Sequence, residues 1–122
     1  MVGKDTYISD LARIIGDVVI GNNCYVGHGT ILRGDYGRIV IGDGTAVEEG
    51  VIIHAPPGDT NQIGGKVTIG HNATIHGKHI GNLAVIGMGS VLSIWSEIGE
   101  WAIVAEGSIV KQPIRYLTNM HN

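Results

Sequence analysis

The sequence predicts an all-β fold: a parallel β-helix in which hexapeptide repeats coil into triangular rungs. Three observations predict it. Aliphatic residues recur at every sixth position over most of the chain. Glycine supplies 20 of the 122 residues, more than twice its usual share. The hydrophobic fraction is 43%, yet it includes no Phe, two Trp and four Tyr. A period of six fits neither the α-helix nor an isolated strand. It is the signature of a solenoid in which each unit makes one short strand and one turn. Three units close a triangle, and rungs stack at about 4.8 Å. A narrow triangle suits Ile, Val and small residues and leaves little room for aromatic rings.

The elements follow in order. The first aliphatic run is Ile8, Ile14, Ile20, Val26 and Leu32, and the second is Ile41, Val47 and Ile53. Ile69 and Ile75 come next, then Ile80, Ile86, Leu92, Ile98, Val104 and Val110. Two positions before most of these sits a small or β-branched residue, such as Cys24, Thr30, Thr45, Val51, Ala73, Ala84, Ser90 or Ser96. It is expected beside a corner. Glycine often follows the aliphatic, as at Gly21, Gly27, Gly70 and Gly87, and relieves the turn. Three places break the period. Leu32 to Ile41 carries a three-residue excursion at "RGDYG". A loop, "HAPPGDTNQIGGK", lies between Ile53 and Ile69, and the step from Ile75 to Ile80 is one residue short. Regular rungs have little reason to bulge, so interruptions are where function is sought.

One domain over residues 1–122 is expected, with a β-helix core over about 8–110 and a short tail over 111–122. The net charge of −3 and the scatter of basic residues give no nucleic-acid footprint. No apolar run approaches the roughly 20 residues of a membrane span. The opening "MVGKDTYISD" lacks the apolar core of a signal peptide. A lone cysteine, Cys24, excludes an internal disulfide framework and suits a reducing compartment, so a cytoplasmic location is expected. The sequon at Asn72 is then a chance match.

The repeat serves as a ruler for the histidines. One rung is eighteen residues plus any insertion. Leu32 to Ile53 is eighteen plus the three of the excursion, and Ile53 to Ile75 is eighteen plus four if the loop adds four. Leu32, Ile53 and Ile75 then stack on one face, and so do Arg33, His54 and His76, which follow them. Protonated stacked histidines would repel each other, whereas a metal uses them as neutral donors. His71 falls near a different corner. Three imidazoles so placed converge poorly within one prism and converge readily if a second prism packs alongside. The spacing points to an oligomer with sites between subunits.

The stretches "IGDVVIG", "LRGDYGRIVIG", "VIIHA", "TIGHNATIHG" and "VIGMGSVL" resemble the gamma-class carbonic anhydrase family, which includes carnitine-operon and phenylacetate-operon proteins. The resemblance runs from about residue 8 to 110. It implies a left-handed β-helix, a homotrimer and a metal at each subunit interface. His54, His71 and His76 match its metal-ligand positions, with His54 and His76 from one chain and His71 from its neighbour. Arg33 and Asp35 match its RGD pair, associated with subunit contacts and site architecture. The chain also departs from the pattern. "AVEE" at 46–49 replaces "NIQD", so Ala46 stands for Asn and Glu48 for the Gln that positions water or bicarbonate. Tyr36 follows Asp35 where a Glu is common, "HAPPGD" lacks the shuttle glutamate, and Lys78 stands where many relatives have Cys. After "SIVKQ" the family's proline-rich segment and helix are replaced by "PIRYLTNMHN".

The implied chemistry is the reversible hydration of CO2 to bicarbonate. Three neutral imidazoles on Zn²⁺ leave one position for water, whose pKa the ion lowers to about 7. Fe²⁺ and Co²⁺ suit the same donors. Glu48 is a candidate base or ligand, and equally an acceptor for Arg33 or another cation. Arg33 and Asp35 are candidate site residues that also suit a structural salt bridge. His28, His79, Asp59 and Glu48 are candidates for proton transfer, with His28 and His79 read as surface residues. Trp95 and Trp101 sit outward and suit interface packing. Two other readings stand beside this one: a trimeric hexapeptide acyltransferase with a histidine base and no metal, and a metal-binding trimer without turnover. Altered water-positioning residues favour weak hydration.

Overall fold

The structure, a computed structural model, describes residues 1–112. Its strands are Tyr7–Ile8 (β1), Arg13–Ile20 (β2), Tyr25–Val26 (β3), Ile31–Ile41 (β4), Ala46–Val47 (β5), Ile52–His54 (β6), Thr60–Ile63 (β7) and Thr68–Ile69 (β8). They continue with Thr74–Ile75 (β9), His79–Ile80 (β10), Val85–Ile86 (β11), Val91–Leu92 (β12), Glu97–Ile98 (β13), Ile103–Val104 (β14) and Ile109–Val110 (β15). No helix occurs among the described residues, so none is long and apolar enough to cross a membrane. The fold is a parallel β-solenoid. Its first face is the ladder β1-β3-β5-β8-β11-β14. β6, β9, β12 and β15 stack on the first part of β4 as the second face, and β7, β10 and β13 stack on its last part as the third.

The register is the one counted from the repeat. Leu32 pairs with Ile53, Ile53 with Ile75 and Ile75 with Leu92, and all four are fully buried. Burial of such a side chain stabilises by about 1.5–3 kcal/mol. The small residues fill the corners as expected: Thr30, Thr45, Val51, Ala73, Ala84 and Ser90 are completely buried. A buried hydroxyl needs partners. Thr45 finds two, its Oγ1 donating to the Gly64 carbonyl at 2.7 Å and accepting from the Val67 amide at 3.2 Å.

The interruptions differ from expectation in one respect. The stretch between Ile53 and Ile69 is not all loop. Ile63 is fully buried and pairs with Ile41, so β7 restores the period and only residues 55–59 leave it. A single aliphatic inside a polar, glycine-rich run gave the repeat too little contrast to be seen. Gly16 pairs with Gly34 but Val18 with Ile39, so Asp35–Arg38 bulge opposite Asp17. This bulge and the 55–59 loop pack on each other. Gly58 N–H donates to Tyr36 O at 2.8 Å, and Arg38 N–H to Asp59 O at 2.9 Å. A Cβ on Gly37 would lie 2.3 Å from Pro56 O and 2.4 Å from Asp59 O, so only glycine permits the approach. The expected tail, 111–122, lies outside the described residues except for its first two.

Candidate metal centre

Two corners of the prism carry the predicted residues. At the first, His54 and His76 follow the core residues Ile53 and Ile75, which pair in register. Being next after an inward residue, both point outward. Their rings stack with centroids 4.7 Å apart, and His54 Nδ1 lies 2.7 Å from His76 Nε2. Arg33 pairs with His54 one rung before. Its Nη2 donates to Asp35 Oδ2 at 2.9 Å, and the other carboxylate oxygen stands 3.7 Å from His54 Nε2. That hydrogen bond from Arg33 holds Asp35 below the usual carboxylate range. Burial lowers the His76 pKa, with the charges of His54 and Arg33 adding to it. His54 Nε2 is buried without a hydrogen bond among the described residues.

Asn61, missed in the sequence, supports this corner. It is fully buried on β7, and its Nδ2 donates to the His54 carbonyl at 3.1 Å. It occupies the small corner position two before Ile63, so recognising Ile63 would have found it. Tyr36 packs its ring edge-on to His54 at 6.0 Å.

The second corner holds His71. The turn after β8 places Asn72 in the left-handed region at φ 62°, a conformation that Asn tolerates better than most residues. His71 Nδ1 lies 3.1 Å from Glu49 Oε1, and His71 Nε2 lies 3.5 Å from Glu48 Oε1. Tyr25 donates a short hydrogen bond to the other oxygen of Glu49. That bond lowers the Glu49 pKa and raises that of Tyr25. Glu49 carried no sequence signal beyond lying beside Glu48. His28 lines the same cleft of about 490 Å³ with Glu49 and His71. His79 lies on the third face between Gln62 and Glu97, and Asp59 lines a separate cleft with Tyr36 and Arg38.

His71 and His76 stand five positions apart with the corner turn at Asn72 between them, so they lie at different corners of the prism. Among the described residues of one chain, no three His, Cys, Asp or Glu groups gather where they could hold a metal. The donor chemistry nonetheless fits a metal shared by two copies. His54 turns Nδ1 towards His76 and Nε2 towards Asp35. Glu49 faces His71 Nδ1, and Nε2 is turned towards Glu48. Carboxylates behind the far nitrogen of ligating histidines are a common arrangement.

The family described as "Bacterial transferase hexapeptide (six repeats)" matches residues 1–34. A hexapeptide transferase family protein from Anaplasma phagocytophilum aligns with TM-score 0.58 at 33% identity, over 91% of this chain and 74% of that one. The chain therefore belongs to the hexapeptide transferase family. Within it, the chain is similar to the mitochondrial gamma carbonic anhydrase 2 of Arabidopsis thaliana, at 36% identity over 94% of this chain and 44% of that protein. It is likewise similar to the carnitine operon protein CaiE of Escherichia coli, at 38% identity over 94% of this chain and 59% of that protein. The chain spans about half the length of these curated relatives.

Proposed function

We propose that this protein is a metal-binding, gamma-class carbonic anhydrase-like homotrimer with CO2 and bicarbonate as its substrate and product. Each site takes His54 and His76 from one subunit and His71 from the next. The observation that carries this reading is the 2.7 Å approach of two imidazole nitrogens, His54 Nδ1 and His76 Nε2, on adjacent rungs. Two neutral rings can share only one proton there, and a metal is the other cation such nitrogens recognise. A bound divalent ion, Zn²⁺ first and Fe²⁺ or Co²⁺ as alternatives, supplies the Lewis acidity that makes water nucleophilic near neutral pH.

The chain's own residues do the rest. Burial keeps His76 neutral and therefore available as a donor. Arg33 fixes Asp35, and Asp35 orients His54. Glu49, braced by Tyr25, orients His71. Water adds to the carbon of CO2, giving bicarbonate and one proton to be carried to solvent. His28, in the cleft of His71, is better situated for that transfer than His79. The test is metal analysis of the purified protein together with a stopped-flow hydration assay. Close to one transition metal per chain and a CO2 hydration rate that depends on it are expected. A folded protein that takes up no metal overturns the reading.

A further inference from the structure

We propose that Glu48 is a fourth protein ligand, brought to the metal with His71 from the same subunit, so that the resting site is closed. This rests on the interfacial metal reading above and deepens it. His71 Nε2 and Glu48 Oε1 face each other at 3.5 Å, beyond the range of a good N–H···O hydrogen bond. A protonated His71 pairs with both carboxylates, and a metal that takes the place of the Nε2 proton has Glu48 Oε1 beside it. Two donors that each stand about 2.1 Å from one tetrahedral ion are roughly 3.4 Å apart. The observed separation has the same size.

The two neighbouring glutamates also differ in what occupies them. Glu49 is engaged on both oxygens, by Tyr25 and by His71. Glu48 accepts no side-chain hydrogen bond among the described residues, and its one ion-pair partner there is His71. Its neighbours in the adjacent rungs are Gly27 and Gly70, which follow the paired residues Val26, Val47 and Ile69. Neither has a side chain to crowd the carboxylate or to satisfy it. His54, His76, His71 and Glu48 together make four ligands. Four protein ligands close a zinc site, whereas catalytic sites keep one position open. Hydration then requires Glu48 to leave, and the resting protein is slow.

Co²⁺ reports this directly, because its visible spectrum follows coordination. The wild type, Glu48→Gln and His71→Ala are loaded as intact oligomers. Cobalt affinity is measured by chelator competition, and each spectrum is followed as azide is added. The wild type is expected to bind about one Co²⁺ per chain with a spectrum that azide leaves unchanged. Glu48→Gln should bind at least about tenfold more weakly and shift its spectrum with azide, and His71→Ala should bind little metal. A wild-type azide response equal to that of Glu48→Gln, or undiminished affinity in Glu48→Gln, overturns the role of Glu48 and leaves the shared metal site standing. Failure of the folded wild type to bind Co²⁺ overturns both.

Discussion

The corner of His54 and His76 and the corner of His71 prepare imidazole in opposite ways. At the first, the rings lean on each other over a dry aliphatic column, and burial favours the uncharged form. At the second, the ring is half exposed and lies between two carboxylates. Burial favours the uncharged ring at the first corner, whereas at the second a carboxylate faces each ring nitrogen. Neither corner offers enough donors for a closed shell, and the prism holds them apart. A rigid solenoid cannot bend to join its own corners, so a site that needs both must be built between molecules.

The sharpest way to break this comparison is to disable one corner per chain. His54→Ala and His71→Ala homotrimers are each expected to lose nearly all bound metal. Refolded together, they should regain it at the fraction of interfaces where an intact pair meets an intact His71. Demonstrated mixed trimers with no more metal than either parent would place all three donors in one prism after all.

Next in size is the effect on turnover. Weak hydration is expected of the wild type, and Glu48→Gln with Ala46→Asn should raise it in a stopped-flow assay. An unchanged rate in a fully metallated double variant would move the limit to proton transfer, where His28→Ala is the variant to test.

Gly37→Ala probes the support of the first corner alone. The added Cβ would meet two backbone oxygens, which cannot rotate away. Overpacking of this kind costs about 1–3 kcal/mol. A fall of that size in denaturant-unfolding stability is expected, with weaker metal binding than in the wild type. Unchanged stability would mean that the bulge and the 55–59 loop do not brace each other.

The smallest effect lies at the second corner, in Tyr25 and Glu49, whose charged groups are exposed and well screened. Glu49 titrates below its usual value when folded, so its contribution is present above the unfolded pKa. It is lost as pH falls through the folded one. Tyr25 titrates above its usual value, so its contribution is full below about 10 and lost as pH rises through the folded pKa. Tyr25→Phe should therefore lower the unfolding midpoint slightly near neutral pH, with the gap narrowing at both extremes. A gap constant across pH would mean that the Tyr25–Glu49 hydrogen bond is not what the substitution removes, since the ring stacked on Tyr7 at 5.4 Å is kept in Phe.

The period of six determined by itself that this chain coils into a parallel β-helix, and counting along it placed Arg33, His54 and His76 in one ladder. Register could be counted because each rung repeats its predecessor covalently, and an insertion only adds to the count. The count also set His71 at a different corner. Tertiary structure decided what the period does not encode. It brought the bulge at 35–38 and the loop at 55–59 into mutual hydrogen bonds, although some twenty residues separate them. It drew Ile63 and Asn61 out of a stretch that reads as loop into the core and bonded Asn61 to the His54 carbonyl. It also turned Glu49 towards Tyr25 and His71 while leaving Glu48 facing a ring nitrogen. Those outcomes depend on which side chains meet across a corner, and two adjacent glutamates look alike until their surroundings give one two partners and the other a single one.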